Sequence, residues 1–214
     1  MPGLGSGYGL FFKEFICNFH TTGAVLPSGP WLCGALARYV GEGDAPKQVL
    51  EVGPGTGAVT RHIVPRLGEE DSLDLVELNA SFVKRLRYDF EHDSILQPAS
   101  RRVEVHQVPI EDLAHDRRFD VIVSGLPLNN FSAELVERIL DTFTCLLKPG
   151  GTLSFFEYIA VRRMKALVSR SDERRRLRQI DGILSSMLDA HEIRRECIVA
   201  NVLPAWVHHV RLTQ

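Results

Sequence analysis

The stretch Glu51-Val52-Gly53-Pro54-Gly55-Thr56-Gly57 constrains this chain more than any other. It closes a short apolar run, Gln48 to Val52, and opens a segment in which Val59, Ile63 and Leu67 share helical spacing. A strand that ends in clustered glycines and runs into a helix sets a tight turn at the carboxyl edge of a sheet. Glycines there allow backbone conformations closed to other residues and let a ligand approach the main chain. In open α/β sheets that edge is where ligands bind.

The same alternation continues along the chain. Leu73 to Glu77 reads as a second strand, followed by a helix through Phe82, Leu86 and Phe90. A third strand starts at Val103, and Phe119 to Val123 forms a fourth. A helix from about Ala133 to Leu147 aligns Leu135, Ile139, Phe143 and Leu146; Lys148-Pro149-Gly150-Gly151 is expected to stop it before a fifth strand, Thr152 to Tyr158. Strands alternating with helices imply a mostly parallel sheet covered on both faces. Arg162 to about His191 reads as helical, and two last strands, about Ile193 to Ala200 and Trp206 to Leu212, are close enough to pair antiparallel. The expected organisation is an N-terminal amphipathic helical extension and lid over residues 1–45, then one domain over 46–214.

With 214 residues the chain has room for one sizeable core. A net charge of −2 leaves any attraction to nucleic acid or anionic membrane to local patches. Cys17, Cys33, Cys145 and Cys197 lie far apart, with no CxxC pair, so reduced and mostly buried thiols are expected. The histidines are scattered apart from His208-His209, which would point to opposite faces of a strand, and no metal site is legible. No apolar run approaches the roughly 20 residues that span a bilayer, and Lys13 and Glu14 interrupt the N-terminal apolar stretch, unlike a signal peptide.

The spacing around the glycine loop narrows the ligand. Twenty residues beyond Gly57, Glu77 ends the second strand, where an acid can accept hydrogen bonds from both hydroxyls of a ribose. A dinucleotide fingerprint is GxGxxG, whereas this loop is GxGxG preceded by Glu51. An acid there repels a pyrophosphate and favours a cationic sulfonium and ammonium. The acid, the glycine loop, the second acid, the loop after the fourth strand and the Pro-Gly-Gly together resemble the class I S-adenosylmethionine-dependent methyltransferases, whose fold is Rossmann-like α/β. The resemblance covers residues 46–214 and implies S-adenosyl-L-methionine as cofactor. By that resemblance Glu51, Gly53, Pro54, Gly55, Thr56 and Gly57 surround the methionine part, and Glu77, beside Leu78, meets the ribose. Pro109, Ile110 and Glu111 would border the adenine, although His106 to Pro109 lacks the acid usual in that family. Ser124 and Gly125 would line the pocket, with Thr22 and Ser28 closing over it.

The acceptor loop is Ser124-Gly125-Leu126-Pro127-Leu128-Asn129-Asn130. Adenine-methylating relatives grip the base with an amide or acid and a stacking aromatic, where this chain has Gly125 and Leu128. RNA adenine methylation therefore stands second. Four segments together, Thr22 to Ser28, Gly53 to Ala58, Ser124 to Pro127 and Ala200 to Ala205, resemble the bacterial phospholipid N-methyltransferases and their ornithine-lipid relatives. That resemblance implies stepwise methylation of a lipid amine by a cytoplasmic, peripherally membrane-associated enzyme. A noncatalytic cofactor-binding membrane adaptor is the third reading.

An alkyl ammonium has a pKa of roughly 10.4, so a methyltransferase must favour the neutral amine and accept its proton. Tyr158, after the fifth strand, is the candidate to orient that amine; otherwise it is an interior tyrosine with a satisfied hydroxyl. Asn129 and Asn130 are either acceptor-loop contacts or helix caps. Two surfaces would meet lipid. Phe11, Phe12, Phe15 and Phe19 fall on one helical face that either docks on the core or lies in a membrane interface. The run Arg162, Arg163, Lys165, Arg170, Arg174, Arg175, Arg176 and Arg178 is either a solvated face or an attraction for anionic headgroups.

Overall fold

The computed structural model describes residues 29–114, 116, 118–159, 171–201 and 203–212. Expectations placed on Phe11, Phe12, Phe15, Phe19, Thr22, Ser28 and the basic residues from Arg162 to Arg170 lie outside the described residues.

Seven strands form one sheet in the order β3-β2-β1-β4-β5-β7-β6. They are β1 (Gln48–Val52), β2 (Ser72–Val76), β3 (Val103–His106), β4 (Phe119–Ser124), β5 (Leu147–Tyr158), β6 (Glu192–Ile198) and β7 (Ala205–Arg211). The first five run parallel, and β7 pairs antiparallel with both β5 and β6. The α/β reading, including the antiparallel C-terminal pair, therefore holds. Five α-helices are described: α1 (Pro30–Leu36), α2 (Thr60–Ile63), α3 (Ala80–His92), α4 (Ala133–Leu146) and α5 (Ser171–His191).

Alternation along the strands divides the core into two layers. Leu50, Val52, Ile122 and Phe155 face α4 and α5, where Ile139, Phe143, Ile180 and Leu184 cover them. Val49, Leu73, Leu75 and Val121 face the opposite side, covered by Leu32 and Leu36 of α1 and by Leu86 and Phe90 of α3. Residues 30–40 thus pack into the main core, in the part of the chain expected to be an extension.

β7 shows the two-sided geometry that its paired histidines predict. His208 turns to the α5 side, stacked on Phe155 at 5.2 Å, with Nδ1 2.6 Å from Glu192 Oε1. His209 turns to the α1 side, with Nδ1 2.7 Å from Ser154 Oγ and Nε2 3.3 Å from Glu196 Oε1. Burial pushes the His209 imidazole down to about 4, so it is neutral at physiological pH. Glu196 also takes two hydrogen bonds from Arg38, both 2.6 Å, fastening the segment after α1 to the sheet edge.

Three expectations are corrected. The segment that puts Val59, Ile63 and Leu67 at helical spacing is not one continuous helix: α2 covers Thr60–Ile63 and a 3₁₀ turn covers Val64–Arg66. Gly57, at φ 78°, is still part of the turn, and Pro65 cannot donate to an α-helical ladder. Second, Lys148 to Gly151 does not precede β5 but lies within it. Leu147 already pairs with Phe119, and the extra residues are absorbed as a register shift before Val121 meets Thr152. Third, of the described cysteines Cys33 is buried but Cys145 and Cys197 are exposed.

Ile180 is fully buried where α5 closes one layer. Ile180→Ala is expected to cost about 2–4 kcal/mol of unfolding free energy, measured by urea titration.

Candidate functional site

Three adjacent strands end in step. Val52 is in register with Val76 on one side and Ser124 on the other. The backbone continues that step past the strand ends: Gly53 N–H donates to Val76 O (2.9 Å) and Gly125 N–H to Val52 O (2.8 Å). The glycine loop is therefore pinned between the ends of β2 and β4.

Gly53, Gly55 and Gly57 have φ of 73°, 56° and 78°, the left-handed region that side chains disfavour. Their surroundings differ. A Cβ on Gly57 would lie 2.9 Å from Arg61 Nη1, whereas one on Gly55 would meet no atom within 4 Å. Gly55 faces the open mouth. At Gly125 a Cβ would lie 2.6 Å from Gly53 O, so the β4 end reaches the loop only because it carries no side chain.

Glu51 lies beneath the loop and is fully buried. Thr60 Oγ1 donates to its Oε2 at 2.7 Å, while Oε1 has no hydrogen-bond partner. Burial pushes this carboxyl up to about 8, and the nearby Glu77 charge adds to the shift. Glu77 stands at the rim, accepting from Gly55 N–H at 3.1 Å and Asn79 N–H at 2.8 Å. Asn79 in turn caps α3 through Ser81 N–H at 2.9 Å, so helix start and acid are held together. A carboxylate oxygen can accept more than one hydrogen bond, so an acid held this way suits a sugar hydroxyl.

Arg61 braces the back of the loop. Its Nη1 donates to the carbonyls of Thr56 (3.1 Å) and Gly57 (3.2 Å), and Nη2 bonds Asp89 and Asp93, both at 3.0 Å. Sequence reasoning missed both Thr60 and Arg61. A threonine and an arginine in the turn after a glycine loop carry no signal until the loop's curvature is known.

The remaining expected site residues fall at the same carboxyl edge or near it. Ser124 is buried, its Oγ accepting from Leu126 N–H at 3.3 Å in a local turn. Leu78 and Pro109 are half-buried, Ile110 is in the core, and Glu111 sits in the 3₁₀ turn Ile110–Asp112. Asn129 is buried in a second 3₁₀ turn, Leu128–Asn130, and does not cap α4; Ser132 does, accepting from Leu135 N–H at 3.3 Å. Tyr158 ends β5, edge-on to Phe156 at 5.0 Å. Burial, then the neighbouring Cys33, raise its phenol above the ordinary value. Cys33 of α1 is buried, its thiol pushed up to about 11, first by burial and then by the Glu51 charge. A phenol shifted this way keeps its proton, so Tyr158 can donate a hydrogen bond or accept one, but is a poor base.

That sheet order, with a glycine loop after β1 and an acid after β2, defines the S-adenosylmethionine-dependent methyltransferase fold. Residues 49–151 match the family described as a methyltransferase domain, and the chain is a methyltransferase of that class, with S-adenosyl-L-methionine as cofactor. It is 26% identical over 151 residues to an ornithine lipid N-methyltransferase of Singulisphaera acidiphila, covering 68% of this chain and 74% of that protein. A tRNA1(Val) (adenine(37)-N6)-methyltransferase of Serratia proteamaculans is 29% identical over 122 residues, 56% of this chain and 44% of that protein. The chain spans only 3% to 6% of the polyketide synthases that it also matches. Among solved structures, the N-methyltransferase NodS of Bradyrhizobium japonicum, in complex with S-adenosyl-L-homocysteine, superposes with a TM-score of 0.57 at 16% identity, over 85% of this chain and 86% of that one.

The residues present fit the cofactor. The unpartnered, buried Oε1 of Glu51 suits a cationic methionine end, the open space at Gly55 admits a ligand against the main chain, and Glu77 at the rim suits the ribose diol.

Glu77→Ala is expected to weaken S-adenosylmethionine binding by about 10- to 100-fold by calorimetry, the scale of lost hydrogen bonds to a charged group. Glu51 gives a pH signature in the cofactor-free protein. Its folded-state carboxyl, near 8, binds a proton that the unfolded chain releases above 4.5, so this group's contribution to stability falls as pH rises across that window. Comparing thermal midpoints of wild type and Glu51→Gln from pH 5 to 8 isolates the effect; the variant should lose that decline.

Proposed function

We propose that the protein methylates the amine of a membrane lipid, an ornithine lipid or phosphatidylethanolamine. The similarity to the ornithine lipid enzyme, over two thirds of this chain, carries this reading. The contact of Gly125 with Gly53 supports it, because no amide or acid fits at the position where adenine-methylating relatives hold the base.

When bound, S-adenosylmethionine supplies a methyl group on a cationic sulfur that leaves as a neutral thioether. The protein's part is to present an uncharged amine in line with that methyl. Tyr158 is the group at the end of β5 for orienting the amine, and Asn129, in the buried turn after β4, is the second acceptor candidate. Holding the two reactants in line supplies much of the acceleration, and the proton released by the amine passes to water or to a carboxylate at the mouth.

Membrane contact belongs to the same reading. The Gly29 N–H donates to Asn201 Oδ1 at 2.8 Å, so the chain enters the described structure beside the β6–β7 connection. Trp31 and Val199, exposed at 68% and 72%, flank that junction, and tryptophan favours the membrane–water interface. Arg174, Arg175 and Arg178 are exposed on α5 and add charge attraction for anionic headgroups.

The test is incubation of the purified protein with labelled S-adenosylmethionine and, separately, vesicles of phosphatidylethanolamine and phosphatidylglycerol, vesicles of ornithine lipid, and total RNA. Label is expected in a lipid amine. Label confined to RNA overturns the proposal in favour of a base methyltransferase, and cofactor binding without transfer overturns it in favour of an adaptor. Phe12→Glu combined with Phe15→Glu should abolish vesicle binding while sparing S-adenosylmethionine affinity.

A further inference from the structure

The basic run at the start of α5 is not uniform. Arg174, Arg175 and Arg178 are exposed, but Arg176 turns inward toward the β4–α4 loop. Its Nε and Nη2 pair with both oxygens of Glu173, at 2.9 and 2.7 Å. Its Nη1 donates to the Phe131 carbonyl, and Nη2 also donates to the Asn129 carbonyl at 3.1 Å. One guanidinium therefore uses its fork on a carboxylate and its far edge on two main-chain oxygens. Within the loop itself, Asn130 N–H donates to Pro127 O (2.9 Å) and Phe131 N–H to Leu128 O (3.1 Å).

We propose that Arg176 is a positioning residue for the methyl acceptor, resting on the reading above that this loop borders the acceptor. It clamps Leu128–Phe131 against α5, so the wall that carries Asn129 keeps its shape only while the first turns of α5 are in place. Glu173 holds the guanidinium in plane, which orients both donors at once. Lysine cannot reproduce this geometry, because a single ammonium has no planar fork to span carboxylate and carbonyls together. The run thus divides its work: its exposed arginines face outward, and Arg176 links the same helix to the catalytic edge.

The experiment compares wild type, Arg176→Ala, Arg176→Lys and Arg175→Ala by three readouts. These are amide hydrogen exchange at residues 128–132, S-adenosylmethionine affinity by calorimetry, and binding and methylation of phosphatidylethanolamine–phosphatidylglycerol vesicles. Arg176→Ala should accelerate exchange at 128–132 by about tenfold, the scale of a lost hydrogen bond to a charged donor. Cofactor affinity and vesicle binding should stay at the wild-type level while kcat falls by a similar factor. Millimolar guanidinium should restore part of both the protection and kcat, and Arg176→Lys should restore little. Arg175→Ala should instead weaken vesicle binding without touching exchange at 128–132. Unchanged exchange in folded Arg176→Ala, or acceleration spread over the whole chain, overturns the proposal. Where Arg176→Ala does not fold, Arg176→Lys gives the same exchange readout. If wild type methylates no vesicle lipid, the lipid reading fails, while exchange and its rescue still decide the role of Arg176.

Discussion

The site depends on the close approach of two glycines. The Gly125 backbone lies against the Gly53 carbonyl because Gly125 carries no side chain, and Leu126 packs over Gly53 because Gly53 carries none; this lets β2, β1 and β4 finish at one level. A methyl group at position 125 would drive the β4 end away from the loop. The depth of the mouth, the placing of Glu77 at its rim and the start of the acceptor loop all follow from that contact. Arg61 then fixes the far side, tying the loop's last carbonyls to two acids of α3.

Electrostatics add a second constraint. Glu51 is buried beneath the loop with one oxygen satisfied by Thr60 and the other unpartnered. Such a group is costly in a protein at rest and favourable once a cation arrives. The cofactor class carries its positive charges at the methionine end, so the unfavourable burial of the acid is offset on binding. The neighbouring thiol and phenol, Cys33 and Tyr158, both have raised pKa values, so this corner of the site carries few protein charges of its own.

Much of the architecture was legible because it rests on local patterns. β1 spans the residues expected of it, and the period of α4 was visible in Leu135, Ile139 and Phe143. The acid after β2 could be located by counting from the glycines. Signals that fail are those in which tertiary pairing overrides local chemistry. Pro149-Gly150-Gly151 reads as a stop, yet strand pairing begins at Leu147 and carries through it. Arg176 reads as one more charge in a basic run, and nothing in its neighbours announces that it turns inward where Arg174, Arg175 and Arg178 do not. Of the two readings open for Asn129, acceptor contact or cap, the cap role goes to Ser132 three residues on. Thr60 could not be tied to Glu51 without knowing that the intervening loop folds back on itself.

The order of the strands has a consequence for biosynthesis. β7 lies between β5 and β6, so β6, although made earlier, has no neighbour in the sheet until β7 is inserted. A chain leaving the ribosome would therefore hold its first five strands and α5 ready while β6 waits without a partner strand. Arg38 and Glu196, which bolt that last pair to the front of the molecule, would meet at the end of the process. Chaperone dependence, if the protein has any, should be concentrated in that interval of synthesis, after β6 and before β7.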